Sequence, residues 1–394
     1  MRQAAIRPMT PRDPHEPHRA ATPLELLFDL VTVIAIAAAA ASLHHGIAAD
    51  HAAEGVVRYL FTFFAIWWAW MNFTWFASAY DNDDAPTRLL TMVIMGGALL
   101  IAAGIERFSA HLDISLVVAG YAVMRVAMIA LWLRAAWHDP ARRPCALRYA
   151  AGIAIAQIYW IGLYFLGDPH APAFVALILL GWVIELAVPA IAERTGMTTW
   201  HRHHIVERYG LLTIIVLGEV LLAATLALEK AWDGSFDVRL VHTAISALVI
   251  TFAMWWLYFS REEQLSTNKL SRALQWGYGH MLVFASGAAV GAGFAVLVEI
   301  LTGHSKIGIR AGDLAVAIPL GIYFLALWLV RDRFELHGAA RWVLPLFAVA
   351  VIALPFAFPA LEAIAALAVA AVAIRAALAA RSVRAEEIRA GSGA

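Results

Sequence analysis

The sequence predicts an all-α fold: a polytopic integral membrane helical bundle of about twelve transmembrane helices. Three observations carry that reading. Hydrophobic residues make up 62% of the chain, charged residues only 15%, and mean hydropathy is +0.72, far from the soluble average of about half apolar and a quarter charged. Several apolar runs reach the roughly 20 residues that cross a bilayer as a helix. Lys and Arg fall unevenly on alternate loops, as they do in multi-pass proteins.

Taken in order, residues 1–22 are polar and rich in Pro, Arg and His, and read as a disordered cytoplasmic N-terminus. No short apolar core followed by a small-residue cleavage site precedes the first helix, so that helix reads as retained. Twelve spans follow, at roughly 24–43, 56–78, 87–105, 115–137, 145–166, 172–192, 205–229, 238–259, 275–300, 312–330, 342–358 and 360–380. The last two meet at L-P-F-A-F-P-A, Leu354 to Ala360, which reads either as a tight turn or as a break within one re-entrant unit. A cytoplasmic tail, 381–394, closes the chain.

With the N-terminus in the cytoplasm, the inner segments collect twenty-one Lys and Arg residues. The outer loops collect six: Arg58, Arg107, Lys230, Arg239, Lys306 and Arg310. This asymmetry predicts an even helix count with both termini cytoplasmic.

The chain also reads as two parallel six-helix repeats, 23–192 and 193–380. P-L-E-L-L-F-D-L (Pro23 to Leu30) answers I-V-E-R-Y-G-L-L (Ile205 to Leu212). The Trp67–Trp68 pair in the second helix answers Trp255–Trp256 in the eighth. Parallel repeats of this kind build many transporters.

Several chemistries are closed off. The single cysteine, Cys145, leaves no intramolecular disulfide and no thiolate cluster. Lys230, Lys269 and Lys306 all fall in loops, so a retinal Schiff base inside the bundle is not expected. No P-loop or dinucleotide fingerprint is present. Net charge is zero, so no nucleic-acid partner is implied. The expected partners are the lipid bilayer and a small solute, ion or proton. Cofactor and oligomeric state are left open.

The chemistry-bearing residues are ionisable groups placed inside apolar segments, where they are expensive and usually functional. The richest stretch is H-I-V-E-R-Y-G-L-L-T-I-I-V-L-G-E, His204 to Glu219. At 100° per residue, Glu207, Arg208 and Glu219 lie about −60°, +40° and +60° from His204, within one arc of a single helix. Glu25 and Asp29, four apart, share one face of the first helix, with Thr22 as N-cap and Pro23 at the first helical position. Glu25 reads either as a partner of that stretch or as a charge complementing the helix N-terminus.

Arg125 lies near the middle of the fourth span and needs a carboxylate; Glu219 is the first expectation by depth, and Asp29 the second. Glu185 is the other intramembrane carboxylate, joining that network or facing a cavity. Asp29, Arg125, Glu219 and Glu185 thus form the expected charge network, and Glu25, His204, Glu207 and Arg208 the cytoplasmic mouth. His204 and Glu207, three apart, also have a spacing used by metal-binding bundles, although H-E-x-x-H is absent. His44 and His45 end the first span on the outer side. Trp67, Trp68, Asn72, Trp255, Trp256, Tyr258 and His280 read either as core packing or as the lining of a cavity for an apolar or amphipathic ligand.

E-L-L-F-D-L (Glu25 to Leu30), His44–His45 and the His204-to-Glu219 stretch together resemble the bacterial low-temperature-requirement A family, over about residues 20–380. The resemblance implies a multi-pass inner-membrane protein named for a growth defect in the cold, with no settled biochemical activity. It carries over Glu25, Asp29, His204, Glu207, Arg208 and Glu219 as the family's polar positions. Members typically read E-L-F-F-D-L-V-F-V. Here Leu27 and Thr32 replace aromatics, which implies altered specificity if those aromatics touch a ligand. Three functions follow as expectations: a proton-coupled transporter or permease, an integral-membrane enzyme acting on a lipid or apolar substrate, and a stress-adaptation protein without turnover.

Overall fold

The computed structural model describes residues 6–16, 19–168, 171–232, 236–260, 265, 269–359 and 361–391, with side chains as far as Arg381. Ala360 lies outside these, as do Arg2 and Arg261 of the twenty-one inner Lys and Arg residues and the side chains of two more, Arg384 and Arg389. Among the described residues the fold is helical, with no strand. Twelve long helices follow one another: α1 (Pro23–Ala48), α2 (Ala52–Ala79), α3 (Ala85–His111), α4 (Ser115–His138), α5 (Arg143–Leu166), α6 (Phe174–Ala192), α7 (Arg202–Ala231), α8 (Val238–Phe259), α9 (Leu270–Leu301), α10 (Ile309–Leu327), α11 (Val343–Ala357) and α12 (Leu361–Gly391). Residues 354–357, the first part of the L-P-F-A-F-P-A segment, form the end of α11, and α12 begins at Leu361.

Eleven of these helices are both long and apolar enough to cross a membrane; α2 is the exception. Its 28 residues are ample in length, but four tryptophans and an asparagine lower its hydropathy. The outward faces carry large apolar side chains: on α1, Leu27, Leu30 and Ile34 are exposed while Phe28, Asp29 and Ile36 are buried. A surface of this kind is unfavourable in water and matches lipid tails. The chain is a multi-pass membrane protein.

The chain divides into two compact units. Unit 1 comprises residues 1–39 and 62–208, and unit 2 comprises 40–61 and 209–394. In unit 1, α3 packs on α4, α4 on α5 and α5 on α6. The α3–α4 contact is made close by glycines, since a Cβ at Gly120 would lie 2.5 Å from the Gly97 carbonyl oxygen; small residues are how membrane helices approach at the backbone. Asp84 caps α3, accepting from Thr87 N at 3.1 Å.

In unit 2, α9 packs on α10, α10 on α11, α11 on α12, and α12 on α8. A π-helical turn, Trp328–Asp332, follows α10 and turns Arg331 and Asp332 inward. Arg331 donates to the Tyr258 and Leu257 carbonyls at 2.8 and 2.9 Å, which satisfies the end of α8. Asp332 is held by Arg331 at 2.8 Å and by Arg375 at 2.6 Å.

The segment before α1 differs from the disordered tail read from composition. Met9 is fully buried, Arg12 N donates to the Ala79 carbonyl at 2.9 Å, and Arg7 N donates to Asp84 at 2.9 Å. Arg19 is buried and donates to the Ala77 and Ser78 carbonyls. Arginines in that stretch cap a helix end, which composition alone does not reveal.

Candidate functional site

Two helix faces in unit 1 build the site. On α1, Thr22 and Glu25 form a capping box: Thr22 N donates to Glu25 Oε2 at 2.8 Å, and Glu25 N donates to Thr22 Oγ1 at 3.3 Å. This fixes Glu25 in the first turn and leaves its other oxygen free to face inward; Asp29 stands one turn further on. On α7, His204 and Arg208 repeat the same four-residue spacing. The two faces meet in register. His204 Nε2 lies 3.0 Å from Glu25 Oε1, and Arg208 Nη1 lies 2.9 Å from the same oxygen. Arg208 then reaches Asp29, with Nη2 donating to Oδ1 at 2.5 Å and Nε to Oδ2 at 3.2 Å. Trp70 of α2 donates its indole N–H to Asp29 Oδ1 at 2.6 Å. All five side chains are buried. Glu25 thus closes the capping box with one oxygen and meets His204 and Arg208 with the other.

One cation faces two carboxylates here. Three atoms of the cluster, Glu25 Oε1, His204 Nε2 and Arg208 Nη1, make two close contacts without an aligned hydrogen bond. His204 Nδ1 has no hydrogen-bond partner among the described residues. Arg19 is the next cation, and it lies 3.8 Å from Asp81. Burial raises the pKa of Asp81, in the loop after α2, and the charge of Glu25 adds to the effect.

A second buried cluster in unit 1 corrects the expectation for Arg125. Its partner is Glu185, at 2.7 Å, and neither Glu219 nor Asp29 fills that place. Arg125 also donates to the Tyr121 hydroxyl at 3.0 Å. Glu185 accepts from the Trp68 indole at 2.7 Å and the Trp160 indole at 3.2 Å. Buried polar groups need such partners, and here each is satisfied.

Other expected residues are dispersed. Glu207 is exposed and accepts from Ala21 N at 3.3 Å, so His204 and Glu207 do not converge on a common ligand. The shared arc holds for His204 and Arg208 but fails at Glu207, because the buried stripe is narrower than the helical-wheel angle suggests. Glu219 is half-buried in unit 2 and makes no ion pair among the described residues.

The expected aromatic set also separates. Trp67 and Trp68 are buried, whereas Trp255 and Trp256 are 46% and 57% exposed on α8, the lipid-facing position that indoles tolerate. Asn72 bonds back to the Trp68 carbonyl at 2.7 Å. Tyr258 and His280 pair at 3.1 Å in unit 2, with His280 Nδ1 on the Trp276 carbonyl at 2.7 Å. Of the departures from the family pattern, Leu27 is exposed on the outer face of α1, and Thr32 is buried with its hydroxyl on the Phe28 carbonyl. Trp70, Trp160 and Tyr121 were not expected at these clusters. Their signal is chemical: a buried indole or phenol requires an acceptor or donor.

The chain is 28% identical over 253 residues to the uncharacterized protein RA0937 of Rhizobium meliloti (strain 1021), covering 62% of this chain and 59% of that protein. The chain thus spans about 59% of the length of the curated relative it matches. No solved structure matches it. Residues 20–378 match the family described as "Bacterial low temperature requirement A protein (LtrA)". With the two-helix cluster of Glu25, Asp29, His204 and Arg208 inside that range, the chain belongs to the bacterial low temperature requirement A family.

Proposed function

We propose that this protein is a proton-coupled transporter or permease for a small solute or ion, residing in the inner membrane with both termini cytoplasmic. The observation that carries the reading is the Glu25–Asp29–His204–Arg208 cluster, set within two membrane-spanning helices. With His204 neutral, the cluster carries two negative charges against one positive. One proton, on His204 or on a carboxylate, brings it to neutrality.

Inside a low-dielectric bundle an uncompensated charge is costly, so the two protonation states favour different surroundings and different solute occupancy. That is the requirement for coupling. His204 Nδ1, without a hydrogen-bond partner among the described residues, gives the ring a second position for relaying a proton. Asp81, whose pKa burial raises, is the carboxylate that would pass a proton between water and the cluster. The orientation is supported by the Lys and Arg asymmetry, which puts Arg12, Arg19 and Asp81 on the cytoplasmic side. A stress-adaptation role in the cold is compatible with transport and is part of the same proposal.

The test is proton movement in proteoliposomes carrying a lumenal pH dye, challenged with a panel of monovalent cations, carboxylates and amino acids. Wild-type protein is expected to give a solute-dependent pH change, and Glu25→Gln, shown folded by its thermal melt, is expected to abolish it. A folded Glu25→Gln protein with the wild-type response, or a wild-type protein silent to the whole panel, would overturn the reading.

A further inference from the structure

We propose that His44, His45 and Glu299 form a binding site for a divalent transition-metal ion of the zinc type. The three residues lie within unit 2, where the last turns of α1 and α9 come together. His44 Nε2 is 2.9 Å from Glu299 Oε1, and His45 Nδ1 is 4.0 Å from the same oxygen. All three ligand atoms lie within 4.8 Å of one another.

Adjacent residues on a helix diverge by about 100°, so two neighbouring histidines do not converge by default. Here they converge because they present different ring nitrogens, Nε2 on the longer reach and Nδ1 on the shorter. Their rings sit 4.7 Å apart, tilted by 31°. His44 Nε2 is buried with Glu299 Oε1 beside it, and a metal ion would take the place of the proton that otherwise joins the two atoms.

The scaffold is fixed around the site. His304 N donates to the Glu299 carbonyl at 2.9 Å, and Lys306 N and Ser305 Oγ donate to the Ala48 carbonyl at 3.0 and 3.1 Å. The loop after α9 thereby ties its end to the end of α1. Zinc–nitrogen and zinc–oxygen bonds of about 2.0–2.2 Å place tetrahedral ligand atoms roughly 3.3–3.5 Å apart, so small side-chain rotations close the site. His45 is 71% exposed, so water reaches the rim of the site.

Two imidazoles and one carboxylate form the ligand set of zinc sites that keep an open position. Imidazole selects zinc, cobalt, nickel and copper over magnesium and calcium. The proposal is independent of the transport reading: it concerns other residues and is tested without flux.

The experiment uses the full chain, tag-free in mild detergent, stripped with chelator and titrated by calorimetry with Zn²⁺, and with Co²⁺ by absorbance. The expected result is one tight ion per chain with a tetrahedral cobalt spectrum, unaffected by millimolar Mg²⁺. His45→Ala, an exposed position, and the near-isosteric Glu299→Gln should each weaken binding at least tenfold. His304→Ala, at the same end of the unit, should leave it unchanged. Absence of stoichiometric binding, or binding that survives both His45→Ala and Glu299→Gln in folded protein, would overturn the proposal.

Discussion

Arg125 and Glu185 meet at 2.7 Å with side-chain exposures of 3% and 1%. Each is the other's compensation inside the bundle. Glu185→Ala removes one half and leaves a buried guanidinium, a change that costs about 3–5 kcal/mol. The double replacement Arg125→Leu/Glu185→Leu should recover most of that loss, because matched removal of a buried pair is close to neutral. Thermal unfolding in detergent of the three proteins measures both values. Equal destabilisation by the single and double changes would show that the pair is not the relevant unit.

Arg208 spans two carboxylates with one planar group. A lysine ammonium is a point charge and cannot reproduce that fork. Arg208→Lys is therefore expected to hold one carboxylate and lose the other, lying between wild type and Arg208→Ala in stability. Arg208→Ala should lose about 3–5 kcal/mol, and adding Asp29→Asn to it should restore part. The melting midpoints of the four proteins give the order.

Asp84 predicts an acid limb. Burial alone would raise its pKa, but Arg134, the Arg7 backbone N–H and Thr87 together hold it well below the usual carboxylate range. Because the folded value is depressed, the unfolded chain binds the proton more readily. The contribution of Asp84 is thus complete above its unfolded value of about 4 and is lost as pH falls through the folded value. Melting midpoints between pH 5 and 2 should fall less steeply for Asp84→Asn than for wild type. At neutral pH that variant should be less stable by about 1–3 kcal/mol, through a weakened cap and an unpaired Arg134.

Gly120 and Gly96 offer a matched comparison on the α3–α4 hairpin. A Cβ at Gly120 would meet the Gly97 carbonyl oxygen at 2.5 Å and Ile101 N at 2.9 Å, whereas one at Gly96 meets nothing within 4 Å. Gly120→Ala should destabilise by about 1–3 kcal/mol through forced separation of the helices. Gly96→Ala should be neutral or stabilising by up to about 1 kcal/mol through helix propensity. A shared sign in the two unfolding curves would contradict the close packing.

The spans were legible because hydropathy over about 20 residues is a property of one segment and needs no knowledge of its neighbours. Glu25, Asp29, His204 and Arg208 were legible for a related reason: a charge inside an apolar run stands out wherever it is placed. Partner choice was not. Depth made Glu219 the first expectation for Arg125 and Asp29 the second, and only the approach of α4 to α6 shows that Glu185 is the partner. The two Trp–Trp pairs read alike in sequence, yet one is buried and the other faces outward, because the inward side of a helix is set by what packs on it. Glu299 gave no signal beside other carboxylates at helix ends. Its meaning appears only when the end of α9 reaches the end of α1.

The pairing of Asp29 with Arg208 crosses 179 residues of chain. At a synthesis rate of about 5–20 residues per second, roughly 9–36 s separate the emergence of the two partners from the ribosome. During that interval α1 holds Glu25 and Asp29 without their cation. The acidic turn must then be carried protonated or stay at the water-facing end until α7 arrives. Completion of the charge cluster is thus a late event in biogenesis, and it reports that the first seven helices have been threaded in the correct order.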